Sequence, residues 1–137
     1  MHKGGVDLFR VYDTEKKKWL TDGVYLNQRG ELFYIKESFL SLIKKLVGLN
    51  SDRYIFHMYI GLEDKNNNSV YEGDYLKAVV AEDEVVIGMV AYETRLASYV
   101  ILCPNRKEFF SLGKYLSDRI EVIGNVFDNE DLKNEIS

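Results

Sequence analysis

The chain has 137 residues, of which 46% are hydrophobic and 29% charged, and its formal net charge is −4. These values are typical of a globular protein that buries a core without a disulfide or a metal. The acidic balance argues against a protein whose main task is to grip phosphate backbones. No stretch approaches the roughly 20 apolar residues of a membrane span, and Cys103 is the single cysteine. We therefore expect a cytoplasmic protein that does not act at a membrane.

The first third of the chain predicts a small β-meander. Apolar residues alternate over residues 6–12, and the lysine run before Trp19 is typical of the solvated end of a hairpin. Residues 24–26 and 31–36 predict a second hairpin with a Gly-containing loop between its strands.

Residues 38–47 predict one short helix. Apolar residues recur at i, i+3, i+4, i+7 and i+8 from Phe39 to Val47, Ser38 suits the N-cap, and Gly48 suits the position after the helix. We expect the apolar face of this helix to cover a sheet, and the alternative is that it binds a partner.

The middle of the chain predicts a long strand and a sharp reversal. Residues 54–60, YIFHMYI, are almost continuously apolar and aromatic, which indicates a strand buried on both faces or against a neighbouring subunit. The Asn/Asp-rich segment that follows is typical of a hairpin turn.

The rest of the chain predicts a curled sheet. Five strands are expected over residues 75–81, 85–93, 97–103, 109–112 and 120–127, with Gly88 at a bulge or close approach and one helical turn, 113–117, before the last strand. This order is what an SH3-like, partly open β-barrel requires. Asn129 predicts the N-cap of a short C-terminal helix. The predicted fold is therefore mainly β with a minor helical part. It has a meander plus helix over 1–60 and an SH3-like barrel over 61–137, or one continuous domain.

Three blocks of sequence carry a family resemblance. The first is Phe9 to Asp13 before the lysine-rich turn, similar to an Arg-x-Trp-Asp block but with Tyr12 in place of Trp. The second runs from Gly61 to Asp74, and the third from Glu121 to Asn129. These blocks resemble those of the YopX family of phage and prophage proteins from Gram-positive bacteria. The signature residues in the second and third blocks are Gly61, Leu62, Asp64, Lys65, Asn66, Tyr71, Glu72, Gly73, Asp74, Gly124 and Asn125.

The resemblance implies a phage-encoded or prophage-encoded protein of the bacterial cytoplasm that forms a homo-oligomer, and it implies no reaction. One departure is that Asn67-Asn68 stands where the family has a single Gly after Asn. Because Asn tolerates the left-handed backbone region better than most residues, we expect the turn to survive.

Acidic residues around the central turn suggest two kinds of chemistry. Asp64-x-Asn66-x-Asn68 begins a calcium-loop pattern, but the pattern then needs Gly and Glu where Ser69 and Tyr75 stand. Glu63, Asp64, Glu72 and Asp74 could instead converge as an acid–base or cation site. The favoured interpretation is that they organise turns through hydrogen bonds to backbone amides.

Other reactive residue types are sparse. His57 lies in the aromatic strand, His2 lies near the terminus, and Cys103 precedes a proline, so no zinc site, cofactor or nucleophile is predicted. The run Lys16, Lys17, Lys18 and Trp19 could contact a nucleic acid through phosphates and base stacking, but a hairpin end is favoured.

The sequence thus favours a non-enzymatic binding or regulatory protein that acts through protein–protein contacts as a homo-oligomer. The alternatives are a nucleic-acid-binding accessory protein of a phage and a metal-dependent enzyme that uses the acidic turn.

Overall fold

Strands make up most of the chain. A computed structural model describes residues 7–20, 24–29, 31–37, 44–48 and 52–136. Within these ranges no helix is long and apolar enough to cross a membrane. Three short 3-10 helices are described, at Pro104–Arg106, Lys114–Arg119 and Glu130–Glu135. The strands are β1 Phe9–Asp13, β2 Lys18–Leu20, β3 Val24–Leu26, β4 Leu32–Glu37, β5 Lys44–Gly48, β6 Tyr54–Glu63, β7 Ser69–Tyr71, β8 Asp74–Ala81, β9 Glu84–Glu93, β10 Ser98–Cys103, β11 Glu108–Ser111 and β12 Ile120–Asn125.

The chain divides into two compact units. One unit is Phe9–Phe56, and the other comprises the residues from His57 onward together with the chain up to Leu8. The boundary falls within β6. The mainly β fold class predicted from the sequence is confirmed.

In the Phe9–Phe56 unit, the predicted meander is divided between two antiparallel arrangements. β1 pairs with β2, with Tyr12 opposite Trp19. β3, β4 and β5 form a separate sheet in that order. The side chain of Asn27 closes the β3–β4 turn, because its Oδ1 accepts the amides of Arg29 (2.8 Å) and Glu31 (2.9 Å).

The predicted helix over 38–47 was wrong at its C-terminal end. Lys44–Gly48 forms β5, which pairs with β4 in the register Tyr34 opposite Val47, and residues 38–43 lie outside the described residues. A ten-residue helix is marginal on its own. Pairing with β4 instead satisfies the backbone groups of this segment.

The unit from His57 onward is organised by a curled, half-barrel sheet in the order β11-β10-β9-β8-β12, with all pairs antiparallel. All five strands and the helical turn before the last one lie where the sequence predicts them. The last strand returns to pair with the first, so β11 and β12 are the two edges. The SH3-like character of this sheet stays a prediction.

One face of this sheet forms the core. Val86, Val90 and Ile101 alternate along β9 and β10, and fully buried neighbours from β7, β8, β10 and β12 pack against them. Gly88 is a close-approach point, because an added Cβ would lie 2.5 Å from Ile101 Cγ2 and 2.7 Å from the carbonyl oxygen of Leu102. The ladder runs through Gly88 in register with Leu76, so it is not a bulge.

β6 is less buried than its composition predicts. All seven residues of YIFHMYI are partly or largely accessible within the chain, and Ile55 is exposed. The expectation of a strand buried on both faces was therefore wrong for the single chain. Burial against a neighbouring subunit stays a prediction.

The short C-terminal helix is confirmed as the 3-10 helix Glu130–Glu135. Asn129 occupies the predicted N-cap position, but its side chain makes no capping hydrogen bond to the helix, and its Oδ1 atom accepts the amide of Asn125 (3.2 Å) instead. Ile136 is buried after the helix, and its carbonyl accepts a hydrogen bond from the side-chain amide of Asn105.

A buried aspartate closes the β1–β2 hairpin. The Oδ1 atom of Asp13 accepts the amides of Glu15 (3.0 Å) and Lys16 (3.1 Å), and both of its oxygens accept from the guanidinium of Arg53 at 2.8 Å. The Arg53 bonds hold the pKa of the Asp13 carboxyl well below its usual range, although burial opposes this. The opening block is thus tied to the start of β6 by a bidentate ion pair.

We predict that Arg53→Ala destabilises the protein and flattens its acid dependence. The folded-state pKa of Asp13 is depressed, so its contribution is fully present above the unfolded pKa, about 3.9, and is lost as the pH falls below it. Urea unfolding at pH 7 and pH 3 should show a smaller loss of stability on acidification in Arg53→Ala than in the wild type. Arg29→Ala, which removes an exposed arginine, is the control. Equal effects of the two substitutions would contradict the assignment.

Candidate functional site

Asp64 is the centre of the signature turn. The residue is 3% exposed, and its carboxylate oxygens accept the amides of Asn66 (2.9 Å), Asn68 (2.8 Å) and Val122 (2.9 Å). Burial would raise the pKa of Asp64, but these amide bonds outweigh it and lower the pKa below the usual value. The carboxylate therefore acts as a fixed acceptor of backbone hydrogen bonds.

The turn has the backbone that the sequence predicts. The amide of Asn67 donates to the carbonyl of Asp64 (3.0 Å), and Asn67 takes φ +64°. The prediction that Asn replaces the family's glycine in the left-handed region is confirmed.

The same turn covers one edge of the five-stranded sheet. The amide of Lys65 donates to the carbonyl of Ile120 (3.0 Å), two residues before Val122 donates to Asp64. Alternate residues of a strand direct their peptide groups to the same side, so both bonds lie on the side of β12 away from β8. Lys65 Nζ also lies 3.4 Å from the carboxylate of Glu121. The turn thus occupies backbone groups that would otherwise form a free sheet edge.

The other signature acids also bind backbone amides. Glu72 Oε1 accepts the amide of Met58 (2.8 Å), and the amide of Glu72 donates to the carbonyl of Met58 (3.0 Å). Asp74 is buried, and its Oδ2 accepts the amide of Tyr71 (2.8 Å). Glu72 and Asp74 therefore make these backbone bonds within one chain.

Glu63 has a different partner. Its Oε1 accepts the hydroxyl of Tyr59 (2.6 Å), and burial followed by this bond raises the pKa of Tyr59 to about 12. Each of the four acids is thus engaged by an amide or a hydroxyl. Within the described ranges no three His, Cys, Asp or Glu side chains meet as metal ligands would.

Gly73 brings the central block against the aromatic strand and the closing block. It takes φ +79°, and an added Cβ would lie 2.5 Å from Cε1 of His57. The His57 ring stacks on Phe127 at 5.4 Å, and the amide of Val126 donates to the carbonyl of Gly73 (3.0 Å). Because Gly73 has no side chain, the imidazole of His57 can occupy the space that a Cβ would need.

The remaining signature residues also shape turns. Asn125 Oδ1 accepts the amides of Phe127 (3.0 Å) and Asp128 (2.9 Å), which bends the chain after β12. A Cβ on Gly124 would lie 2.5 Å from Asn129 Oδ1. Gly61 takes φ +88° within β6, and Leu62 is partly buried beside it.

The basic hairpin is organised as a small cluster. Lys16, Lys17 and Lys18 are exposed, and Lys17 takes φ +54°. The rings of Trp19 and Tyr12 meet edge to face with centroids 5.0 Å apart, and the guanidinium of Arg10 lies 4.5 Å from the centre of the Trp19 ring. Trp19 is therefore part of the packing of the hairpin.

Cys103 and three of the arginines make contacts that stabilise the fold. Cys103 is fully buried in the core, and burial raises the pKa of its thiol, which makes a nucleophilic role unfavourable. Three arginines pair with carboxylates: Arg53 contacts Asp13 and Glu15, Arg95 contacts Glu93, and Arg106 contacts Glu84 and Glu108.

The opposite edge of the five-stranded sheet is a feature that sequence reasoning missed. β11 pairs with β10, and no strand in the described part of the chain pairs with its other side. The amide of Leu112 donates to the carbonyl of Tyr99 (3.1 Å). By alternation, the peptide groups of Glu108 and Phe110 also face β10, whereas those of Phe109 and Ser111 face away.

An aromatic side chain is exposed on this open edge. Phe109 on β11 is 39% exposed, and the guanidinium of Arg95, from the β9–β10 hairpin, lies 5.9 Å from its ring centre. The same hairpin exposes Tyr92 and Leu96, and Tyr92 packs against Tyr99 on the face of the sheet opposite Phe109. We call Arg95 and Phe109 the β11 border. The sequence signal was the adjacent pair Phe109-Phe110 in a short strand, which by itself does not show which ring faces solvent.

We predict that Gly73→Ala destabilises the protein more than Gly61→Ala. Both glycines have positive φ, but nothing lies within 4 Å of a Cβ at Gly61, whereas His57 occupies the place of one at Gly73. Chemical denaturation should give a loss on the order of 1 kcal/mol for Gly61→Ala from backbone strain alone. For Gly73→Ala it should give about 3 kcal/mol, because overpacking adds to the strain.

The matched test of this prediction is a double-mutant cycle with His57→Ala. Removing the imidazole should recover at least 1 kcal/mol of the Gly73→Ala loss, because the two substitutions share a contact. Strictly additive effects would show that contact with the His57 imidazole is not the reason why residue 73 must be glycine.

Comparison with known proteins identifies the chain's relatives. A family model described as YopX protein matches residues 8–132. The chain is similar to the X-ray crystal structure of protein yopX from Bacillus subtilis, with a TM-score of 0.61 at 16% identity over 91% of this chain and 96% of that chain. It is also similar to the crystal structure of protein EF1440 from Enterococcus faecalis, with a TM-score of 0.53 at 20% identity and the same coverage. No curated protein matches. At these identities the two structures show a shared fold, whereas the family model spans nearly the whole sequence. The resemblance inferred from three sequence blocks is therefore confirmed, and the chain belongs to the YopX family.

Proposed function

We propose that this chain is a non-enzymatic binding or regulatory protein of phage or prophage origin, which acts in the bacterial cytoplasm through protein–protein contacts as a homo-oligomer. The observation that carries the proposal is the β11 border, where the exposed ring of Phe109 and the guanidinium of Arg95 lie on an open edge strand. Aromatic residues and arginine are enriched at protein interfaces and among their energetic hot spots.

The use of the acidic residues supports a role other than catalysis. General acid–base chemistry needs a carboxyl that can exchange a proton with a substrate. Asp64, Glu72 and Asp74 instead accept backbone amides, and the pKa of Asp64 is lowered. These three carboxylates therefore stabilise the folded backbone.

The partial exposure of β6 supports an oligomer. An aromatic, apolar strand that stays accessible in the single chain is typical of a surface that a second subunit covers. Edge strands are a further route to association, because their unpaired peptide groups can pair with another chain.

The distribution of charge along the chain supports a second candidate function, that of a nucleic-acid accessory protein. Residues 9–56 carry nine Lys or Arg against six Asp or Glu, a net +3, whereas residues 57–137 carry eight against fifteen, a net −7. The exposed Lys16, Lys17 and Lys18 lie in the basic part. This role would appear as DNA binding that weakens steeply with salt. We place it second because Arg10 and Tyr12 contact the Trp19 ring that a base would stack on.

We predict that the wild type is an oligomer at micromolar concentration and that Phe109→Asp weakens it. Light scattering after size exclusion should give a multiple of the 15.9 kDa chain mass. A charge at the β11 border should raise the dissociation constant at least about tenfold, because it replaces a buried aromatic contact in the complex.

The matched control is Val79→Asp, since Val79 is 40% exposed on β8 and Phe109 is 39% exposed. It should leave the mass unchanged. A strictly monomeric wild type would refute the homo-oligomer, and equal effects of the two substitutions would show that the β11 border has no special role.

A further inference from the structure

We propose that β11 pairs in an antiparallel manner with β11 of a second copy of this chain, so that two five-stranded sheets join across a two-fold axis. The inference rests on the proposed homo-oligomer and names one of its contacts.

The two edges of the sheet differ in a way that points to β11. On β12, the outward carbonyl of Ile120 and the outward amide of Val122 are bonded by Lys65 and Asp64 of the signature turn. On β11, the outward peptide groups are those of Phe109 and Ser111, and no described strand faces them. One edge is thus closed by the family signature, while the other keeps the geometry of a strand that accepts a neighbour.

The hydrogen-bonding pattern of β11 is self-complementary. An antiparallel pair centred on Phe110 places Phe109 opposite Ser111 of the second copy, and Ser111 opposite Phe109 of the second copy. Both are outward-facing residues, so the two pairs exchange four backbone hydrogen bonds. Because the same strand serves both partners, the contact is isologous and closes as a dimer.

The side chains suit this register. Phe109 and Ser111 project from the same face of the sheet, and both are exposed. In the pair, each phenyl ring lies beside a serine of the second copy, which leaves room for the ring to be covered. A second copy therefore fits the edge through both its backbone and its side chains, and we take it as the occupant.

Ser111→Pro tests the pairing through the backbone. Proline removes the amide that faces away from β10 and leaves the ladder to β10 intact, which edge strands tolerate. Ser111→Ala, which keeps the amide, is the control. Light scattering should show an oligomeric wild type and Ser111→Ala, and at least a twofold fall in mass for Ser111→Pro. A folded Ser111→Pro protein of wild-type mass would overturn the strand pairing and leave the proposed function standing, whereas a monomeric wild type would remove both.

Cysteine pairing tests the register without proline. Hydrogen-bonded antiparallel partners have Cα atoms about 5.5 Å apart, within the range that a disulfide spans. A mixture of Phe109→Cys and Ser111→Cys proteins should form a disulfide-linked dimer on mild oxidation, and each variant alone should not. Cys103 is buried, and oxidised wild type is the control. Linkage in either single variant would overturn the register, and no linkage in the mixture would overturn the pairing.

Discussion

A buried carboxylate cannot stay ionised unless hydrogen bonds replace the water it loses, and at Asp64 this requirement shapes the unit around it. The bonds from Asn66 and Asn68 set the reversal between β6 and β7, and the bond from Val122 attaches that reversal to the last strand of the sheet. Because these donors come from two distant segments, the hydrogen bonds of the carboxylate are complete only when β12 is in place. Local turn chemistry and sheet assembly are thereby coupled.

The same principle recurs at the other buried acids. Asp13 closes the first hairpin and is neutralised by Arg53, and Asp74 accepts the amide of Tyr71 at the entry to β8. Each acid stands within or at the end of a strand where the chain must reverse. The family blocks therefore contain chain reversals that are stabilised by hydrogen bonds to a buried aspartate. Gly73 adds the space that His57 needs.

The sequence was sufficient for local features. Strand alternation gave the five strands of the half-barrel, and the tolerance of Asn for positive φ gave the backbone of Asn67. The helix over 38–47 failed at Lys44–Val47, because apolar spacing does not reveal that a neighbouring strand, β4, competes for the same backbone. The hydrogen bond by which Asp64 closes the edge of β12 joins two residues 58 positions apart, so no local sequence pattern predicts it. The open side of β11 follows from strand order, which a single sequence does not specify.

The account makes Asp64 a fixed, ionised acceptor at the edge of β12, and the amide proton of Val122 reports on it directly. Its NMR chemical shift followed against pH should show one titration with a midpoint below the ordinary aspartate value of about 3.9. That titration should be absent in Asp64→Asn. A midpoint at or above the ordinary value, or a titration that persists in Asp64→Asn, would contradict the claim that this carboxylate closes the sheet edge.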